Sequence, residues 1–228
     1  MRTITKEELQ EILEKHKMWL NDNGGEKADL RNADLREANL RDADLRGADL
    51  DDADLQHADL RGTDLNGADL KEAELSDADL RHANLRGANL QHASLHCTNL
   101  QYANLEEANL HCVDLYQADL RYTWLHSVDL RGANLFGTDL RGVYSRWLIH
   151  AGAIGSRRAE ALYFADRDMV NYDGCWNGTL AEFKELIDEV CPANDEKYFI
   201  YRAEYISAIK MFESLRQAYL KKRNGGNE

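Results

Sequence analysis

The sequence has little of what most enzyme chemistry needs. It contains no GxxxxGKS phosphate cradle and no GxGxxG following a strand, so the common nucleotide-binding loops are excluded. Its four cysteines, at 97, 112, 175 and 191, form no CxxC pair and no disulfide framework. Free thiols in the cytoplasm are therefore expected. No apolar run approaches the ~20 residues that cross a bilayer, and Met1-Arg2-Thr3-Ile4-Thr5 lacks the apolar core of a signal peptide. No membrane partner is expected. Basic residues are outnumbered, with 28 Lys and Arg against 41 Asp and Glu, for a net charge of −13. Residues 28–143 carry −11 of that charge. Direct nucleic-acid binding needs a basic footprint and is not expected. An acidic surface instead favours solubility or imitation of nucleic acid.

What is present is a repeat. From Leu30 to Leu140 every fifth residue is leucine, 23 in all. Two residues before each leucine stands Ala, Thr or Val. Between the two comes Asp or Asn, except at Glu74, Ser94 and Trp124. A period of five fits neither a helix at 3.6 nor an ordinary strand at 2. It predicts a solenoid, whose repeats bury their apolar faces by stacking on one another. Leucine and the small residue lie two apart, so in an extended segment they point the same way. The two residues after leucine must turn the chain. Glycine takes the second of these places at Gly47, Gly62, Gly67, Gly87, Gly132, Gly137 and Gly142, as a type II turn favours.

This pattern, Ala-(Asp/Asn)-Leu-X-X, resembles the pentapeptide-repeat family. The resemblance implies a β-solenoid: a right-handed four-sided β-helix with four pentapeptides per coil and leucine inward. About six coils would then make a shaft roughly 28 Å long, each buried leucine contributing ~2 kcal/mol. Residues 20 apart would stack in surface columns. One column reads Arg41, Arg61, Arg81, Gln101, Arg121, Arg141, beside Asn39, Asp59, Asp79, Asn99, Asp119, Asp139. It is either a solvated, mutually screened face or a recognition stripe. After about Leu90 the outward positions become aromatic and histidine-rich. Tyr102, Tyr116, Tyr122, Trp124 and Phe136, with Trp147 beyond the repeat, form the candidate interaction surface. The C-terminal segment or a second copy is expected to cover it. His92, one coil below Cys112 and near His111, matches no known ligand spacing, and no metal or cofactor is expected.

The repeat divides the chain into residues 1–27, 28–143 and 144–228. Residues 5–21 predict an amphipathic helix, opened by a Thr5–Glu8 capping box and closed by Gly24-Gly25. Leu9, Ile12, Leu13, His16, Trp19 and Leu20 share one face and are expected to cap the open end of the shaft. The last 85 residues predict a small α+β domain. A β-hairpin is expected from Ala161–Phe164 and Met169–Tyr172. A helix opens at a second capping box, Thr179–Glu182, with Leu180, Phe183, Ile187 and Val190 inward and Pro192 ending it. A longer helix runs from roughly Glu196 to Lys222. This tail looks like a small domain attached to pentapeptide repeats in bacterial and phage-encoded proteins. The matching phrases are Ile154-Gly155-Ser156-Arg157 and Gly174-Cys175-Trp176-Asn177-Gly178-Thr179-Leu180.

Cys175, in a glycine-rich loop before a helix, is the one candidate nucleophile, with His150 the nearest base in sequence. Filling a small apolar space explains it as well, and no catalytic residue is assigned. The expected function is a non-enzymatic interaction scaffold for a protein partner, with the tail used for docking or for forming a homodimer. Two alternatives stand beside it. Family members that bind DNA gyrase are acidic rods thought to resemble duplex DNA, so the resemblance permits a modulator of gyrase or topoisomerase. Cys175 permits a minor activity in the tail.

Overall fold

The computed structural model describes residues 1–130, 132–145, 148–154, 159–164, 169–172, 176–190 and 199–224. The chain forms two compact units, residues 1–145 and 146–228.

In the first unit every lap of the chain takes twenty residues. Parallel bridges join residue i to i+20 in an unbroken series from Asp29↔Asp49 to Trp124↔Tyr144. Each rung is held from both sides. The Leu30 N–H donates to the Asp49 carbonyl at 2.7 Å, and the Asp49 N–H donates to the Ala28 carbonyl at 3.0 Å. Leucines 30 to 140 are all buried, and the small residues two places before them line the same interior. Four pentapeptides per lap give four sides, so residues ten apart lie on opposite sides.

The corners follow from the two residues after each leucine. The Ala33 N–H donates to the Leu30 carbonyl at 3.2 Å, and this bond recurs along the shaft. The second corner residue has φ between +53° and +73° throughout, as a type II turn requires. Glycine fills only part of these places. Asp, Asn, Glu, His, Cys, Gln, Ser and Tyr hold the same left-handed backbone elsewhere. The residue before each leucine has a part in the corner too. Asp29 Oδ1 accepts the Arg31 N–H at 3.3 Å, and Asn104 Oδ1 accepts the Glu106 N–H at 2.9 Å. This Asx arrangement explains why Asp or Asn dominates there.

The shaft's first edge is closed by chain that precedes it. Strand β1 (Arg2–Thr3) pairs in parallel with β2 (Ala33–Asp34), and helix α1 (Lys6–Leu20) follows. The Thr5 cap is reciprocal: its Oγ1 accepts the Glu8 N–H at 3.2 Å, and Glu8 Oε2 accepts the Thr5 N–H at 2.8 Å. Leu9, Ile12, Leu13 and Leu20 are half-buried. Trp19 departs from its expected place. It is 41% exposed and stacks on His16 at 5.4 Å, and His16 is the residue that is fully buried.

Among its described residues, the second unit is a four-stranded antiparallel meander with two helices. Its strands are β3 (Leu148–Ile154), β4 (Ala159–Phe164), β5 (Met169–Tyr172) and β6 (Trp176–Thr179), neighbours in that order. The expected hairpin is the central pair, β4–β5, with Phe164 opposite Met169. The sheet is twice as wide as the sequence suggests. β3 carries a register shift between His150 and Ala153, and β6 contains Gly178, so neither shows a clean alternation. Helix α2 (Leu180–Val190) starts at the expected capping box. Helix α3 spans Phe199–Asn224. Tyr163, Val170, Leu180, Phe183, Ile187, Tyr205, Ile209 and Phe212 form this unit's core, with Tyr163 stacked on Phe212 at 5.1 Å.

Candidate interaction surface

The arginine column is occupied by its neighbours. Arg61 makes a bidentate pair with Asp59, its Nη2 at 2.5 Å from Oδ2, and its Nε reaches Asp79 one coil on at 3.7 Å. Arg121 repeats this with Asp119 and Asp139. Arg81 and Arg141 pair with Asp79 and Asp139. Arg41, whose neighbour is Asn39, turns to Asp42 at 3.4 Å. The Arg61 guanidinium holds the Asp59 carboxyl at about 2, well below the usual carboxylate range, against the opposing effect of partial burial. Positive and negative columns therefore interlock into one ladder.

The aromatic residues separate into two groups. Tyr102 and Tyr122 stack at 5.0 Å, and His82 continues the stack below at 5.1 Å. Around the corner, on the adjoining side, Trp124 meets Tyr144 edge-on at 6.4 Å. Glu106 and His126 form the far edge of that side, 3.5 Å apart. Together these residues line an open trough of about 580 Å³. Tyr102, Tyr122, Trp124 and Tyr144 remain 40–51% exposed there. Tyr116 and Phe136 form a second stack at 5.7 Å, with His96 below Tyr116 at 4.7 Å. They adjoin Asp114 and Asn134, on the side half a lap away from Trp124. The single patch drawn from the sequence is thus split, because a twelve-residue step, from 124 to 136, crosses more than half of a twenty-residue lap. Trp147 lies outside the described residues.

Sequence reasoning passed over Tyr144, Glu106 and His82. The twenty-residue period was the signal that could have found them, since each lies one coil from a residue already chosen or at the edge of its side.

Cys112 Sγ lies 3.4 Å from His111 Nε2, and the His92 and His111 rings meet edge-on at 6.0 Å. Among the described residues no group of three or more His, Cys, Asp or Glu is placed to hold a metal ion. Cys175, Ser156 and Arg157 lie outside the described residues. Among the described residues no helix is long and apolar enough to cross a membrane.

The model of the pentapeptide repeats matches residues 28–67, 48–87, 73–111 and 114–144, which together span half of the chain. The chain belongs to the pentapeptide-repeat family. Its first unit is accordingly a right-handed, four-sided β-helix and a repeat scaffold, and family members are generally non-enzymatic. Residues 145–228 lie outside the match. Similar solved structures include HetL, a pentapeptide repeat protein involved in heterocyst differentiation regulation from the cyanobacterium Nostoc sp. strain PCC 7120. It is 36% identical over 54% of this chain and 67% of its own, with a TM-score of 0.41. Rfr23 from the cyanobacterium Cyanothece 51142 is 30% identical over 52% of this chain and 84% of its own, with a TM-score of 0.32. QnrB1, a plasmid-mediated fluoroquinolone resistance protein, is 19% identical over 53% and 84%, with a TM-score of 0.16. No curated protein matches the chain.

Proposed function

We propose that this protein is a non-enzymatic interaction scaffold whose β-helix presents the Tyr102–Tyr122–Trp124–Tyr144 side to a protein partner. One observation carries this reading: large aromatic side chains stand exposed at places where the fold asks for something else. Asp44, Asp64, Asn84 and Asn104 share the column of Trp124, and Asp64, Asn84 and Asn104 each accept the backbone N–H two residues on at 2.9–3.3 Å. An indole has no acceptor and gives up that bond. Tyr102 and Tyr122 hold φ of +60° and +61°, a backbone region that bulky side chains resist. Residues that work against the local rule and stand 40–51% exposed mark a surface kept for another purpose. The second unit would supply further docking or a homodimer contact, and a cytoplasmic setting suits the free thiols of Cys97 and Cys112.

The test is affinity capture from the native host with the full chain and with Trp124→Asn, which restores the repeat's own residue. A partner retained by the native chain and depleted at least tenfold by the variant supports the scaffold. An unchanged set of captured proteins overturns it. The reading as a DNA mimic for gyrase needs an uninterrupted acidic face. The Asp–Arg ladder interrupts it at Arg31, Arg36, Arg46, Arg61, Arg81, Arg121 and Arg141. Inhibition of supercoiling by the pure protein would restore that reading.

A further inference from the structure

The trough on the aromatic side has a chemistry that narrows the partner. We infer that it receives a cationic side chain, an arginine in a basic segment of the partner protein. This rests on the scaffold reading and deepens it.

Three features converge. The first is the arrangement of rings. Tyr102 and Tyr122 are stacked nearly parallel, at 12°, along one edge of the trough, while Trp124 and Tyr144 lie nearly perpendicular to one another, at 83°. Four half-exposed rings thus border one open space, and the face of an aromatic ring carries the negative pole of a quadrupole that attracts a cation. The flat guanidinium stacks on such faces better than a compact ammonium does.

The second feature is charge. The residues lining the trough are His82, Tyr102, Glu106, Tyr122, Trp124, His126 and Tyr144, with one carboxylate and no Lys or Arg. On the same side, lower in the shaft, Arg46 and Arg86 occupy the column that becomes Glu106 and His126. Arg46 is bound to Asp44, and Arg86 to Glu107. In that column the arginines therefore give way to Glu106 and His126, while Arg121 and Arg141, beside Tyr122 and Gly142 in the next column, are paired with Asp119 and Asp139. The lining itself sets no Lys or Arg against a basic segment, and residues 28–143, with −11, draw it in from a distance.

The third feature is space made for the ring stack. Above Tyr122 the column continues with Gly142. A Cβ at that position would lie 2.5 Å from Tyr122 Cε1. The absence of a side chain at residue 142 leaves the room that the Tyr122 ring occupies. The volume, about 580 Å³, falls within the range of small-molecule sites and admits a side chain with its flanking backbone.

The experiment is saturation-transfer NMR on the full chain with N-acetyl-arginine amide, its uncharged isostere N-acetyl-citrulline amide, and cellobiose. Saturable binding of the arginine amide, at least tenfold tighter than the other two, supports the inference. Trp124→Asn should abolish it and Glu106→Gln should weaken it at least threefold. Glu106→Gln keeps shape and removes only charge, so it reads the electrostatic part without risk to the fold. Equal binding of citrulline amide points to a merely apolar surface, and preferred binding of cellobiose to a sugar platform. Either result overturns the inference, as does absence of binding by all three probes. If Trp124→Asn loses the captured partner while arginine shows no preference, only the cationic reading falls. If capture is indifferent to Trp124, the scaffold surface itself falls.

Discussion

Thr63, Thr98 and Thr138 stand where the repeat places alanine, and all three are buried. Their hydroxyls donate to the Leu40, Leu75 and Leu115 carbonyls, 23 residues earlier, at 2.7–2.8 Å. The Leu40 carbonyl also accepts the Ala43 N–H at 3.1 Å, so removing the hydroxyl leaves no orphaned acceptor. Thr63→Val should therefore lower stability by only about 1 kcal/mol. Leu60→Ala, in the same lap, empties a site that is fully buried and should remove about 3 kcal/mol. Urea unfolding of the two variants measures the ratio, and equal losses would contradict a dry, close-packed interior. At this scale the inward residues were legible from the period alone. The role of Asp and Asn was not drawn from it, although the signal was present: a short side-chain acceptor two residues before a turning N–H. The meaning of Trp124 became visible only once that role was known.

Helix α1 shows how a legible element can carry an unexpected residue. The capping box and the apolar face at 3.6 spacing predicted the helix to within a residue at each end. They did not predict β1, which is two residues long and has no pattern of its own. They set Trp19 and His16 on one inward face, of which His16 is fully buried and Trp19 is 41% exposed. The His16 Nδ1 accepts the Ala28 N–H at 3.0 Å, which fixes the neutral tautomer with its proton on Nε2. Burial lowers the His16 pKa from 6.5, while Asp44 raises it and the Lys27 and Arg46 charges lower it. The unfolded chain thus takes up the proton before the folded one does, so stability rises with pH across this window. The contribution is complete above about 6.5 and is lost as the pH falls below it, through the lower folded value. Protection of the amides at Ala28 and along α1, measured against the intrinsic exchange rate at each pH, should fall on acidification from neutral pH, before the rest of the shaft responds. His16→Asn keeps an acceptor near the Nδ1 position and should flatten that dependence. An unchanged pH profile in this variant would remove His16 as its cause. In the second unit, α2 and the central hairpin were legible, but the outer strands were not. β3 is bulged and β6 is four residues long, so periodicity had too little regular length to act on.

At the scale of the whole molecule the shaft is quasi-one-dimensional: each coil touches only the coils above and below it, and stability accumulates lap by lap. The two kinds of interaction that repeat with the lap differ in weight. Leucines lose water completely, whereas the Asp–Arg pairs are exposed and individually weak. High salt, which screens exposed pairs, should therefore change the melting temperature of the full chain little at neutral pH. Acid acts differently, because it removes the carboxylate itself. Asp29, Asp34 and Asp59 are held down to about 2 from 3.8, chiefly by hydrogen bonds from Arg31, Arg36 and Arg61. A depressed carboxyl contributes stability above its unfolded value and loses it as the pH falls through the folded one. The loss for these three groups lies between about 4 and 2, whereas the step expected of His16 begins as the pH falls below 6.5. Melting curves recorded across pH should show two falls, the upper removed by His16→Asn and the lower retained. A single fall beginning below 6.5 and complete above 4 would mean that the ladder decorates the shaft without supporting it.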